Sequence, residues 1–173
     1  VNFTRSFGQK NREFLTEASR IAKSQADFQP AFSDYRTASG EIFAELGDYE
    51  KAREEWEKLI ATARGNREIY LDTATVYWDY FQYDDALRTI KTLREKFADE
   101  TLYAFEAGAI LESLRQPREA VGEYVKALGT RDETEDAAQK YKAKKRLATL
   151  FNRENGERET AKIEVEKTVE AAF

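Results

Sequence analysis

The chain contains no cysteine, no histidine and no methionine among its 173 residues, and only two prolines. Without cysteine there can be no disulfide, no thiolate nucleophile and no sulfur-ligated metal. The lack of histidine removes the commonest general base and the commonest metal ligand. Two prolines and eight glycines leave few places where a helix must break. No apolar run approaches the roughly 18 residues that span a bilayer. The net charge of −5 gives no bulk attraction to nucleic acid or anionic lipid. Val1 in place of methionine marks a processed chain or a segment of a longer protein, so the compartment stays unknown beyond a soluble one.

What is present is charge and order. Charged residues make up 35% and hydrophobic ones 41%, the balance of a helical protein with a solvated outer face. Ala18, Ala52, Ala86 and Ala120 stand 34 residues apart. Gly40, Ala74 and Gly108 keep the same step, as do Phe43, Tyr77 and Leu111, and Trp56, Ile90 and Tyr124. A fixed period of this length predicts stacked, near-identical units, each unable to bury its apolar face alone. Small residues at the crossings let helices approach, and the aromatics fill the gaps.

Laid out in that period, the chain reads as one repeat domain over 1–173. A half repeat covers 11–32, and full repeats cover 33–66, 67–100 and 101–134. A divergent, lengthened helix pair follows over 135–173. In the first full unit a helix from Asp34 to Leu46 ends at Gly47, and a second runs from Tyr49 to Ala63. Pro117 fits the first turn of a helix. Ahead of these units, Asn11 to Ser24 reads as a lone second helix, with too little chain before it for a partner, which favours a chain excised from a longer array. After Ala120 the phase slips, since Ala161 lies 41 residues on. A helix from about Glu135 to Arg153 is expected to turn Tyr141, Leu147, Ala148, Leu150 and Phe151 inward, and a last helix runs from Glu157 to Phe173.

These columns resemble the tetratricopeptide repeat family, a helix–turn–helix of 34 residues. Phe81 and Arg115 depart from the pattern where the first unit has Gly47, and only Pro30 matches the family's unit-ending proline. The resemblance implies an all-α fold, a right-handed α-solenoid of antiparallel helix pairs with about nine helices. It also implies that the first helix of each pair lines a concave groove. The residues mapped there are Thr37, Glu41, Ala44 and Glu45, then Leu71, Asp72, Thr75, Trp78 and Asp79, then Leu102, Phe105, Glu106, Ala109 and Glu112.

Leu71, Trp78 and Phe105 lie off the packing columns and suit apolar anchoring of a partner. The expected binding residues are therefore Leu71, Thr75, Trp78, Asp79, Phe105, Glu106, Ala109 and Glu112. The carboxylates favour a peptide with basic as well as apolar residues. The lysine and asparagine clamp that some family members use for a terminal carboxylate is absent from the first three units. Lys140, Lys142, Lys144, Lys145 and Arg146 form the one basic cluster, answered by acidic neighbours, so nucleic acid is not an expected partner. No motif for phosphate, calcium or another cofactor appears. The expected function is a non-catalytic protein-interaction scaffold. The alternative is a structural spacer or self-assembly segment that associates through exposed repeat ends.

Overall fold

The computed structural model describes residues 2–29, 32–129 and 136–151. Within them the chain forms eight α-helices and no strand. None of these helices is long and apolar enough to cross a membrane. The expected helix over 157–173 lies outside the described residues. Two units divide the chain at Tyr80 and Phe81.

The N-terminal unit, Val1–Tyr80, holds α1 (Asn2–Phe28), α2 (Ser33–Glu45), α3 (Tyr49–Thr62) and α4 (Arg67–Asp79). Helix α1 is one element of 27 residues, longer at both ends than the stretch from Asn11 to Ser24 that the sequence suggests. Helix α2 packs against α1, α3 and α4. Its glycine explains why: a Cβ at residue 40 would stand 2.1 Å from the Trp56 indole nitrogen, so only glycine lets α2 settle onto that ring. Trp56 is wholly buried. Its Nε1 donates to the Thr37 carbonyl at 3.3 Å, and its ring meets Tyr77 edge-on at 5.1 Å.

The turn between α2 and α3 closes with a Schellman pattern, in which Asp48 N donates to Phe43 O and Gly47 N to Ala44 O, both at 2.9 Å. Gly47 takes φ +81°. The Asp48 side chain then caps α3 by accepting from Lys51 N.

The C-terminal unit, Phe81–Phe173, holds α5 (Tyr83–Phe97), α6 (Ala104–Ser113), α7 (Pro117–Leu128) and α8 (Asp136–Phe151). The plan repeats. A Cβ on Gly108 would lie 2.6 Å from the ring of buried Tyr124. Arg115 N donates to Glu112 O and Gln116 N to Leu111 O, the same closing pair of bonds seen at Gly47. Phe81 at φ +60° and Arg115 at φ +59° hold the left-handed conformation without being glycine. Pro117 opens α7.

Ala52, Ala86 and Ala120 are each completely buried, as the ladder requires. Helix α8 departs from the sequence reading. Its inward stripe is Ala143, Leu147 and Leu150, spaced four and three residues apart. Tyr141 is 67% exposed, and Ala148 is exposed as well.

Candidate partner-binding site

In the N-terminal unit α2 and α4 lie side by side and leave an open cleft of about 340 Å³. Ser33, Asp34, Thr37, Ala38 and Glu41 line it from α2, Ile69 and Asp72 from α4, and Leu59 reaches it from α3. Asp34, Thr37, Ala38 and Glu41 of α2 fall at the i, i+3, i+4, i+7 spacing that puts side chains on one helix face. The α4 residues Asp72, Thr75 and Asp79 fall on one exposed stripe by the same rule. The cleft thus has an apolar floor of Ala38, Leu59 and Ile69 under a rim of carboxylates.

Among the described residues no cation pairs with Glu41 or Asp72. Burial, then Asp79 and then Glu45, raises the Glu41 carboxyl above its ordinary value. Burial, then Glu68 and then Asp34, does the same to Asp72. Burial and the carboxylates of Glu41, Glu45 and Asp79 raise the Tyr80 phenol. Burial is the leading cause of each shift, and the neighbouring carboxylates add a negative field to it. No three acidic side chains among the described residues are grouped to hold a metal ion.

Leu71 and Trp78 are half-buried on α4, and Thr75 and Asp79 are exposed. The structure places Thr75 and Asp79 on the stripe with Asp72. Leu71 and Trp78 stand one residue to the side, at Asp72 and Asp79 respectively.

The C-terminal unit treats its share of the expected residues differently. Glu106, 34 residues beyond Asp72, accepts a hydrogen bond from Gln139 Nε2 at 2.7 Å. Glu112 forms an ion pair with Arg146, which raises the Arg146 guanidinium further. Phe105 packs on Tyr124 at 5.5 Å between centroids, and Lys142 Nζ lies 5.8 Å from its ring centre. Burial, followed by the Glu112 carboxylate, pushes the Tyr124 phenol up to about 12. Helix α8 thus supplies a donor and two cations to the face of α6. Ala109 is half-buried on that helix.

Thr37, Glu41 and Asp72, which the family resemblance maps to a groove, line this cleft. Asp34 and Leu59 were not mapped there. Asp34 sits one turn before Thr37, a signal available in hindsight; Leu59 belongs to the second helix of the pair and enters only through packing.

A sequence profile described as tetratricopeptide repeat matches residues 43–109. Among solved structures, one described as the crystal structure of MamA aligns over 94% of this chain and 91% of that chain, with 14% identity and a TM-score of 0.46. No curated protein matches. The matched stretch begins inside α2 and ends inside α6, and it includes Gly47 and Phe81, both in the left-handed conformation, and the buried Trp56 of α3. Residues 43–109 are thus similar to the tetratricopeptide repeat family, and the described helices within that stretch are joined by short turns.

Proposed function

We propose that this chain is a non-catalytic protein-interaction scaffold, and that the cleft between α2 and α4 takes a peptide segment bearing basic and apolar side chains. The observation that carries this reading is the pair Glu41 and Asp72, without a cation among the described residues and raised in pKa, above an apolar floor. A lysine or arginine side chain matches both features, since its stem covers apolar surface while its head meets carboxylates. Leu71, Thr75, Trp78 and Asp79 border the same stripe and would extend the contact along α4. The C-terminal unit offers an internal precedent, where Arg146 and Lys142 of α8 meet Glu112 and Phe105 of α6. Phe105, Glu106 and Glu112 are engaged there by the chain itself, so the reading rests first on α4.

The test is a titration of the labelled protein with a ten-residue peptide of alternating arginine and leucine, followed by amide chemical shifts. Shifts should concentrate on residues 33–41 and 69–79, and should vanish with the Glu41→Gln/Asp72→Asn double variant. A matched peptide carrying glutamate for arginine should give none. If the double variant binds as well as the parent chain, the cleft is not the site.

A further inference from the structure

The two helices that border the cleft carry their acids at the same step. Asp34 and Glu41 stand seven residues apart on α2, and Asp72 and Asp79 stand seven apart on α4. They also face one another in order. After burial and Glu68, Asp34 of α2 acts on the Asp72 carboxyl; after burial, Asp79 of α4 acts on the Glu41 carboxyl. Helices α2 and α4 therefore run in the same direction and hold two acidic rungs, Asp34 with Asp72 and Glu41 with Asp79. Two turns of helix separate the rungs, about 10.5 Å. Between them the cleft is lined by Thr37, Ala38, Leu59 and Ile69.

On the reading that this cleft takes a basic and apolar peptide, the spacing also selects the peptide's conformation. In an α-helix, residues i and i+7 share one face about 10.5 Å apart, with i+3 and i+4 between them on that face. A β-strand brings same-side residues to about 6.7 Å or about 13.4 Å, and neither matches the rungs. A polyproline helix brings i and i+3 to about 9.3 Å but turns i+1 and i+2 away, so the apolar floor stays uncovered. The C-terminal unit uses the α-helical solution within the chain itself. Helix α8 lies on α6 with Gln139 and Arg146, seven residues apart, reaching Glu106 and Glu112. Lys142, at the i+3 position, stands over Phe105. We infer that the partner of the α2–α4 cleft is an α-helix with arginine at i and i+7 and large aliphatic side chains at i+3 and i+4. Each guanidinium forks between the two carboxylates of one rung, one from each helix. The aliphatic pair covers Ala38, Leu59 and Ile69.

Three labelled peptides in one alanine–glutamine host, each with two arginines and two leucines, test this. The first places arginine at i and i+7 with leucine at i+3 and i+4. The second moves the distal arginine to i+5, about 140° round the helix. The third keeps the first sequence but sets proline at i+5, which breaks the helix. Affinity is read by fluorescence anisotropy and the site by amide shifts of the protein. The first peptide should gain helical circular dichroism on binding and shift residues 33–41 and 69–79. The second and third should each bind at least about fivefold more weakly. Asp34→Asn/Asp72→Asn, and separately Glu41→Gln/Asp79→Asn, should each erase the preference for i+7 over i+5, because one rung is gone. Equal affinities for the three peptides, with shifts on those same residues, would overturn the helical partner and leave the cleft a peptide site. Shifts from none of them, nor from the arginine–leucine peptide, would overturn both.

Discussion

Arg36 on α2 and Glu55 on α3 meet at 3.0 Å with 7% and 2% of their surfaces exposed. The pair ties the two helices of one repeat, and Lys58 adds a second cation to Glu55 at 2.6 Å. Glu55→Ala removes the acceptor and leaves the Arg36 guanidinium buried. The expected loss is on the order of 3 kcal/mol, read as a lower urea midpoint. Replacing both partners, Arg36→Met with Glu55→Leu, should restore most of it.

Gly40→Ala should cost about 1–3 kcal/mol, because the new methyl must displace the Trp56 indole and with it the bond to Thr37 O. Gly108→Ala should behave likewise against Tyr124. Gly122→Ala is the contrasting case. Its Cβ meets nothing within 4 Å, so the gain in helix propensity should raise stability by about 0.5–1 kcal/mol. Thermal unfolding of the three variants checks the order.

Phe81 holds φ +60° and is 75% exposed. Phe81→Gly should therefore stabilise the chain by about 1 kcal/mol, offset in part by the lost ring contact with Tyr83 at 6.2 Å. Gly47→Ala at φ +81° should destabilise by a similar amount. Chemical denaturation of the pair reads both signs.

Burial raises Glu123, but hydrogen bonds from Arg94 and Lys126 and their charges outweigh it and hold the carboxyl below its ordinary 4.5. The folded chain thus binds this proton less readily than the unfolded one. Its contribution to stability is complete above pH 4.5 and disappears as pH falls through the lower folded value. Glu123→Gln should flatten that part of the stability–pH curve, as measured by denaturant midpoints from pH 6 to pH 3.

Glu41 and Asp72 carry shifts of the opposite sign, above their ordinary 4.5 and 3.8. They take up protons at higher pH than they would at those ordinary values, so the cleft loses charge sooner as pH falls. Affinity for the arginine–leucine peptide should drop with acidification before pH reaches 4.5, with protons released on binding in that window. Calorimetry in two buffers of different ionisation enthalpy measures the release.

The 34-residue columns made the helix pairs readable because each column answers one packing demand. Gly40 and Gly108 must clear a ring, and Ala52, Ala86 and Ala120 must fit a crossing with no room to spare. The left-handed turn was legible at Gly47 but disguised at Phe81 and Arg115, where tertiary context overrides residue preference. The length of α1 was not legible either. Nothing between Ser24 and Phe28 breaks a helix, and no local signal says that it must continue. In α8 the columns end and the phase with them, so the sequence points Tyr141 and Ala148 inward, whereas Ala143, Leu147 and Leu150 form the buried stripe. The cleft was half legible, since one face of a helix follows from spacing, whereas a side chain such as Leu59 enters from a neighbouring helix.

Gly40 and Trp56, and again Gly108 and Tyr124, stand sixteen residues apart and share one volume between them. A mutation at either member alone passes through overlap or a hollow, so the path between alternative sequences runs uphill at its first step. The two positions drift as a couple or not at all. A repeat can therefore change nearly all its surface, and its partner with it, while this couple goes on recording where one helix ends its reach and the next begins.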